Sequence, residues 1–143
     1  MKGILRLSEA ASMGYHALAV LAGSPDKFLT AGEISKTISG SEAHLAKVMR
    51  RFVIAGLVSS TRGPGGGFKI ARPAEEISLL DIYETIEGKF QVGECMLDFP
   101  CCEGSDCIMG SLIRSVNLEV LEYFRSRKLS DFAESSNLGK EAC

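Results

Sequence analysis

Residues 57–71, LVSSTRGPGGGFKIA, constrain the chain more than any other stretch. Two short runs of strand-forming residues, LVSS (57–60) and FKIA (68–71), flank TRGPGGG. Glycine permits positive φ and Pro64 fixes a bend, so the run predicts a tight β-hairpin. The loop is not a phosphate-binding loop of the nucleotide-hydrolase kind: GPGGGFK lacks the glycine-lysine-hydroxyl ending and the helix that must follow it.

What precedes the hairpin reads as three helices. LSEAASMGYHALAVLAG (7–23) has good helix formers between Ser8, a possible N-cap, and Gly23, a stop. In LTAGEISKTISG (29–40), Thr30 and Glu33 have capping-box spacing, predicting a short helix from Ala31 that ends by Gly40. Ser41 then caps EAHLAKVMRRFVIAG, in which Leu45, Met49 and Phe52 recur at helical spacing and should be core. Two short helices joined by a glycine-containing turn form a helix-turn-helix, and a hairpin directly after it makes the winged-helix layout.

The outer face of the third helix carries Ala43, His44, Lys47, Arg50 and Arg51. In a helix-turn-helix the second helix enters the major groove, its N-terminal residues nearest the base edges. Ala43 is small enough for close approach; His44 and Lys47 can reach bases, and Arg50 and Arg51 suit phosphates. On the hairpin, Arg62 can enter a minor groove, while Gly65 and Gly66 let the backbone approach a phosphate closely. The alternatives are a solvated helix face and a plain tight hairpin. Charge favours a polyanion: residues 1–73 hold ten Lys/Arg against four Asp/Glu, a net of +6, and residues 74–143 hold six against fourteen, a net of −8.

The block HLAKVMRRFVIAGLVSSTRGPGGGFKIARP, followed by EEISLLDIYETIEG, resembles the Rrf-two family of bacterial winged-helix regulators, of the IscR and NsrR kind. The likeness runs from about Leu7 to Phe124. It implies a mostly α fold with a small β-hairpin wing, and a homodimer on a near-palindromic double-stranded DNA operator. It also implies that the segment CMLDFPCCEGSDC (95–107), which holds four of the five cysteines, is the sensor.

Cys95, Cys101 and Cys107 have five residues between neighbours, the spacing that the resemblance implies for members binding an iron–sulfur cluster. A [2Fe–2S] cluster is expected ahead of a [4Fe–4S] one. Structural zinc prefers closer pairs, and only Cys102–Cys107 offers one. Another metal, thiol redox chemistry and no ligand remain the other readings of the segment.

The fourth ligand is not obvious. In IscR-like members it is a histidine three positions after the third cysteine, but Gly110 stands there. A carboxylate used by other members falls on Ser12. LSEAASMGYHAL resembles members that use a histidine at the His16 position, which implies a ligand from the first helix of the partner subunit; Glu9 is the weaker alternative. His16 also suits a helix packed at a dimer interface, and Glu9 suits a helix dipole. Cys102 has no counterpart in the family spacing and reads as an idle neighbour; Cys143 lies in a polar tail.

Met109, Leu112, Val116, Val120 and Tyr123, with Ile113 and Phe124 beside them, predict a long amphipathic helix over 108–126 that pairs with a second copy, and Ser130 is expected to cap a short final turn. The expected organisation is a winged helix-turn-helix domain (1–88), a cysteine-rich cluster-binding loop (89–107), a dimerisation helix (108–127) and a C-terminal tail (128–143). Apolar content of 45% supports a core, and the N-terminus lacks the apolar run of a signal peptide. The expectation is a cytoplasmic, DNA-binding regulator with no membrane association. A cluster-free regulator controlled by thiols or by a protein partner is the alternative trigger. No constellation of nucleophile, base and oxyanion donors is visible, so an enzyme is not expected.

Overall fold

The computed structural model describes residues 6–97, 102 and 107–133. Helix α1 (Glu9–Ala22) starts at Ser8, whose Oγ accepts the Ala11 N–H, and stops at Gly23. Helix α2 (Ala31–Thr37) has the reciprocal Thr30/Glu33 capping box, and α3 (Glu42–Ile54) starts at Ser41, whose side chain accepts the His44 N–H. The turn between α2 and α3 uses Ser39 at φ 53° and Gly40, over which the Met13 side chain packs. These elements stand where their capping residues predicted.

Helix α1 is the spine. Ala11, Ala17, Leu18 and Leu21 are fully buried, and they meet Leu45, Met49 and Phe52 of α3, also fully buried, in one core. Gly14 allows the two helices to approach, since a Cβ there would stand 2.8 Å from the Phe52 ring. Burying a ring the size of Phe52 stabilises by roughly 1.5–3 kcal/mol.

Strands β1 (Val58–Thr61) and β2 (Gly67–Ile70) pair antiparallel from Val58↔Ile70 to Thr61↔Gly67. The strands run 58–61 and 67–70 rather than 57–60 and 68–71, because Leu57 is taken up in closing α3: its N–H donates to the Phe52 carbonyl. The hairpin is also not alone. Leu29 bridges to Phe68, with Leu29 N–H to Phe68 O at 2.9 Å and Phe68 N–H to Leu29 O at 2.8 Å. This bridge ties the wing to the segment before α2. It also explains Gly67, which sits at φ 141° and whose Cβ would lie 2.4 Å from the Leu29 carbonyl oxygen. Gly67→Ala is expected to cost at least about 3 kcal/mol, from strain plus a backbone clash. At this chain length that lowers the melting midpoint by roughly 10 °C in a thermal melt; an unchanged midpoint would mean the bridge is absent in solution.

Helix α4 (Leu79–Glu87) begins in a second capping box, Ser78 with Asp81, and ends at Gly88. Helix α5 (Leu112–Ser126) returns the chain to the start of α4, where Leu79 N–H donates to Arg127 O and Leu129 N–H to Ile77 O. Phe124 anchors α5, buried among the rings of Tyr15, Tyr83 and Phe90 at centroid distances of 5.6–6.3 Å. Helix α5 starts four residues later than the predicted 108. Gly110 at φ 51° places a turn before it, and the Leu112 N–H returns to Met109 O. Helix α6 (Ser130–Ala133) contains Ser130 as its first residue rather than its cap; Asp131 instead accepts the Lys128 N–H. Cys101, Pro100, Gly104, Cys143 and the rest of the tail lie outside the described residues.

Candidate nucleic-acid interface and cysteine segment

One face of α3 is core: Leu45, Val48, Met49 and Phe52. The opposite face exposes Ala43, Lys47 and Arg50, and among the described residues neither cation is in an ion pair. The other two polar side chains of this face are held by the chain itself. His44 is half-buried, its Nδ1 3.7 Å from a carboxylate oxygen of Glu9 on α1. Arg51 donates from Nη1 to the Ile86 carbonyl at 2.9 Å. Such a contact satisfies a carbonyl at the C-terminal end of α4 that has no partner within the helix. Arg51 thus ties α3 to α4, a role that competes with the phosphate contact expected of it.

The wing tip exposes Arg62, with Gly63 and Gly65 at positive φ and open space where their Cβ atoms would be. Gly66 is different. It is buried, and a Cβ there would come within 2.5 Å of the Thr61 carbonyl oxygen. Its missing side chain serves the hairpin's own closure, so only Gly65 keeps the open backbone first expected of both.

The cysteine segment is pinned at its start. Phe90 N–H donates to the Glu84 carboxylate, Asn117 Nδ2 to the Gly93 carbonyl at 3.0 Å, and Arg114 Nε to the Glu94 carboxylate at 3.0 Å. The last pair is exposed and worth little in itself. Its consequence is positional, since Cys95 follows directly. Cys95 is half-buried, and its Sγ accepts the Leu97 N–H at 3.4 Å. Cys107 is also half-buried and Cys102 is exposed. Met96, Leu97 and Ile108, next to Cys95 and Cys107 in sequence, are exposed apolar residues.

His16 is exposed, and its Nδ1 lies 2.7 Å from the Ser12 carbonyl oxygen. That bond puts the proton on Nδ1 and leaves Nε2 with its lone pair outward, the state a metal-binding imidazole needs. Glu9 lies beside His44 of α3. Among the described residues, no three of His, Cys, Asp and Glu come together in one protomer.

The apolar stripe predicted on α5 divides in two. Phe124 and Val120 turn toward their own domain as part of its core, and Ile113 is half-buried. Leu112, Val116 and Tyr123 remain 53%, 41% and 48% exposed on the other side. Nothing in the sequence marks Arg114 and Asn117, the positions that reach back to the cysteine segment. A polar residue at helical spacing carries no mark of its partner.

Comparison with known proteins follows the same lines. Residues 7–135 match the Rrf2 family model, described as an iron-dependent transcriptional regulator. The chain is 41% identical over 83 residues to BadM, an HTH-type transcriptional regulator of Rhodopseudomonas palustris, covering 58% of this chain and about half, 53%, of that one. Among solved structures, CymR, the global cysteine regulator of B. subtilis, superposes with a TM-score of 0.79 at 24% identity, covering 94% of this chain and all of that one. IscR of T. potens superposes with a TM-score of 0.74 at 25% identity, covering 98% and 94%. Among the described residues no helix is long and apolar enough to cross a membrane.

Proposed function

The chain belongs to the Rrf2 family and is a DNA-binding transcriptional regulator, not an enzyme; from that premise we propose that it is a cytoplasmic homodimer whose operator affinity is set by an iron–sulfur cluster, [2Fe–2S] rather than [4Fe–4S]. The proposed ligands are Cys95, Cys101, Cys107 and His16. The donor chemistry fits such a group. The observation that carries the reading is the backbone N–H aimed at the Cys95 sulfur, since such bonds stabilise thiolate ligands and tune cluster potentials. When bound, a cluster of this kind supplies a centre whose oxidation state or integrity answers to redox conditions or nitric oxide.

The chain's own residues supply the rest. Asn117 and Arg114 hold the base of the cysteine segment against α5, and Glu84 holds it against the end of α4. Arg51 joins that end of α4 to α3. A change in the segment can therefore bias α3, provided that the ligand favours one of two arrangements energetically. Lys47, Arg50 and Arg62 are the proposed groove and phosphate contacts, with His44 and Ala43 nearest the bases and Gly65 at the wing tip. Domain bounds of 1–88, 89–107, 108–127 and 128–143 describe this division of labour.

A second reading keeps the regulator and replaces the cluster with thiol chemistry or a protein partner. It is favoured by Cys102, exposed and outside the regular cysteine spacing. One measurement separates the readings, and a second tests the docking common to both. Anaerobically purified protein should show visible absorption with matching iron and sulfide, whereas thiol control predicts neither. Operator binding at fixed salt should weaken by roughly 1–3 kcal/mol in Arg62→Ala, and Lys47→Ala should weaken it with altered base preference. Unchanged affinity in both variants would overturn the docking.

A further inference from the structure

The contact between Glu9 and His44 joins the first turns of two helices, α1 and α3. Both ends of it are firmly placed. Ser8 caps α1 by accepting the Ala11 N–H and donates its own hydroxyl to the Glu87 carboxylate, so the helix start that carries Glu9 is tied to α4. Ser41 caps α3 by accepting the His44 N–H. His44 thus stands in the turn of α3 that meets base edges in a helix-turn-helix. Its side chain is 36% exposed, enough to touch a ligand.

The Glu9 carboxylate is 79% exposed and lies 3.7 Å from Nδ1. That distance is longer than a hydrogen bond, and the interaction is one of charge with the ring's N–H dipole. In the neutral imidazole it favours the proton on Nδ1 and leaves Nε2 as an acceptor. An acceptor in the major groove pairs with the exocyclic amino group of adenine or cytosine, and not with guanine O6 and N7 or thymine O4. We propose that Glu9 is a specificity-determining positioning residue, which holds the His44 ring so that Nε2 reads an adenine or cytosine amino group in each half-site. This rests on the DNA-binding reading of α3. It gives Glu9 a part in base recognition in place of the metal-ligand role considered from the sequence.

The test uses full-length protein: wild type, His44→Ala, Glu9→Ala and Glu9→Gln, each selected against a random duplex pool at fixed salt and then measured on single base-pair variants of the selected site. Wild type should prefer adenine or cytosine at one position per half-site. His44→Ala should flatten that preference roughly tenfold. Glu9→Ala should flatten the same position and no other, with the salt dependence kept, and Glu9→Gln, which keeps the shape but removes the charge, should flatten it likewise. If Glu9→Ala raises affinity uniformly with an unchanged profile, the carboxylate merely repels phosphates and the inference is overturned. It is equally overturned if His44→Ala leaves the profile intact while wild type remains selective. If wild type enriches no sequence at all, the DNA-docking reading itself has failed, and the inference with it.

Discussion

Replacing Leu112 and Val116 together with glutamate is expected to give folded monomers and to weaken operator binding at least about 100-fold. Both side chains lie on α5 one helical turn apart, and both are exposed in the protomer although they are large and apolar. Helix α5 is anchored to its own domain through Phe124, on the other side. The substitutions therefore leave the protomer core untouched while burying two uncompensated charges in any interface that this face makes. Loss of pairing removes the second recognition helix from its half-site, ~34 Å away. The gain from bivalent binding, typically 10²–10⁴ in affinity, goes with it. Sedimentation and a far-UV spectrum decide the matter: a folded dimer in the double variant means that another surface pairs the protomers.

Loss of bound iron is the second large effect expected. Cys95→Ser should abolish or nearly abolish it. The substitution removes the sulfur that accepts the Leu97 N–H, at the point where the segment is pinned to α5. Cys107→Ser and Cys101→Ser should act in the same direction. His16→Ala should lose cluster or shift its visible spectrum, because it removes the imidazole whose Nε2 is left outward by the Ser12 bond. Cys143→Ala should leave both iron content and spectrum unchanged. If His16→Ala retains the wild-type spectrum and iron, the fourth ligand lies elsewhere. Should Cys95, Cys101 and Cys107 each tolerate serine with full iron content, the cluster reading is wrong and thiol or partner control takes its place.

Local chemistry wrote much of the fold into the sequence. Ser8, Thr30 and Ser41 can each satisfy an orphan N–H of the turn that follows, so three helix starts were readable within single short windows. The glycine run gave away the wing for the same reason, because the turn's backbone demands residues without Cβ. The Ser78/Asp81 box of α4 is equally local and has the spacing of the Thr30/Glu33 box. The basic face of α3 and the regular spacing of the cysteines were also legible, as residue type and period.

Tertiary structure alone decided which of those residues are committed elsewhere. Leu29 pairs with Phe68 across most of the helix-turn-helix, and that pairing, not ligand approach, is what Gly67 serves. Arg51 and Arg50 are adjacent and chemically identical, yet one caps α4 and the other faces outward. Glu9 and His16 share a helix, but one turns to α3 and the other bonds its own Ser12 carbonyl. Caps and turns are contests within a few residues, which the chain settles by itself. The partner of a charged or imidazole side chain depends on which helix crosses it, and helix crossings are set by burying Phe52 and Phe124, far away in sequence from the groups they bring together.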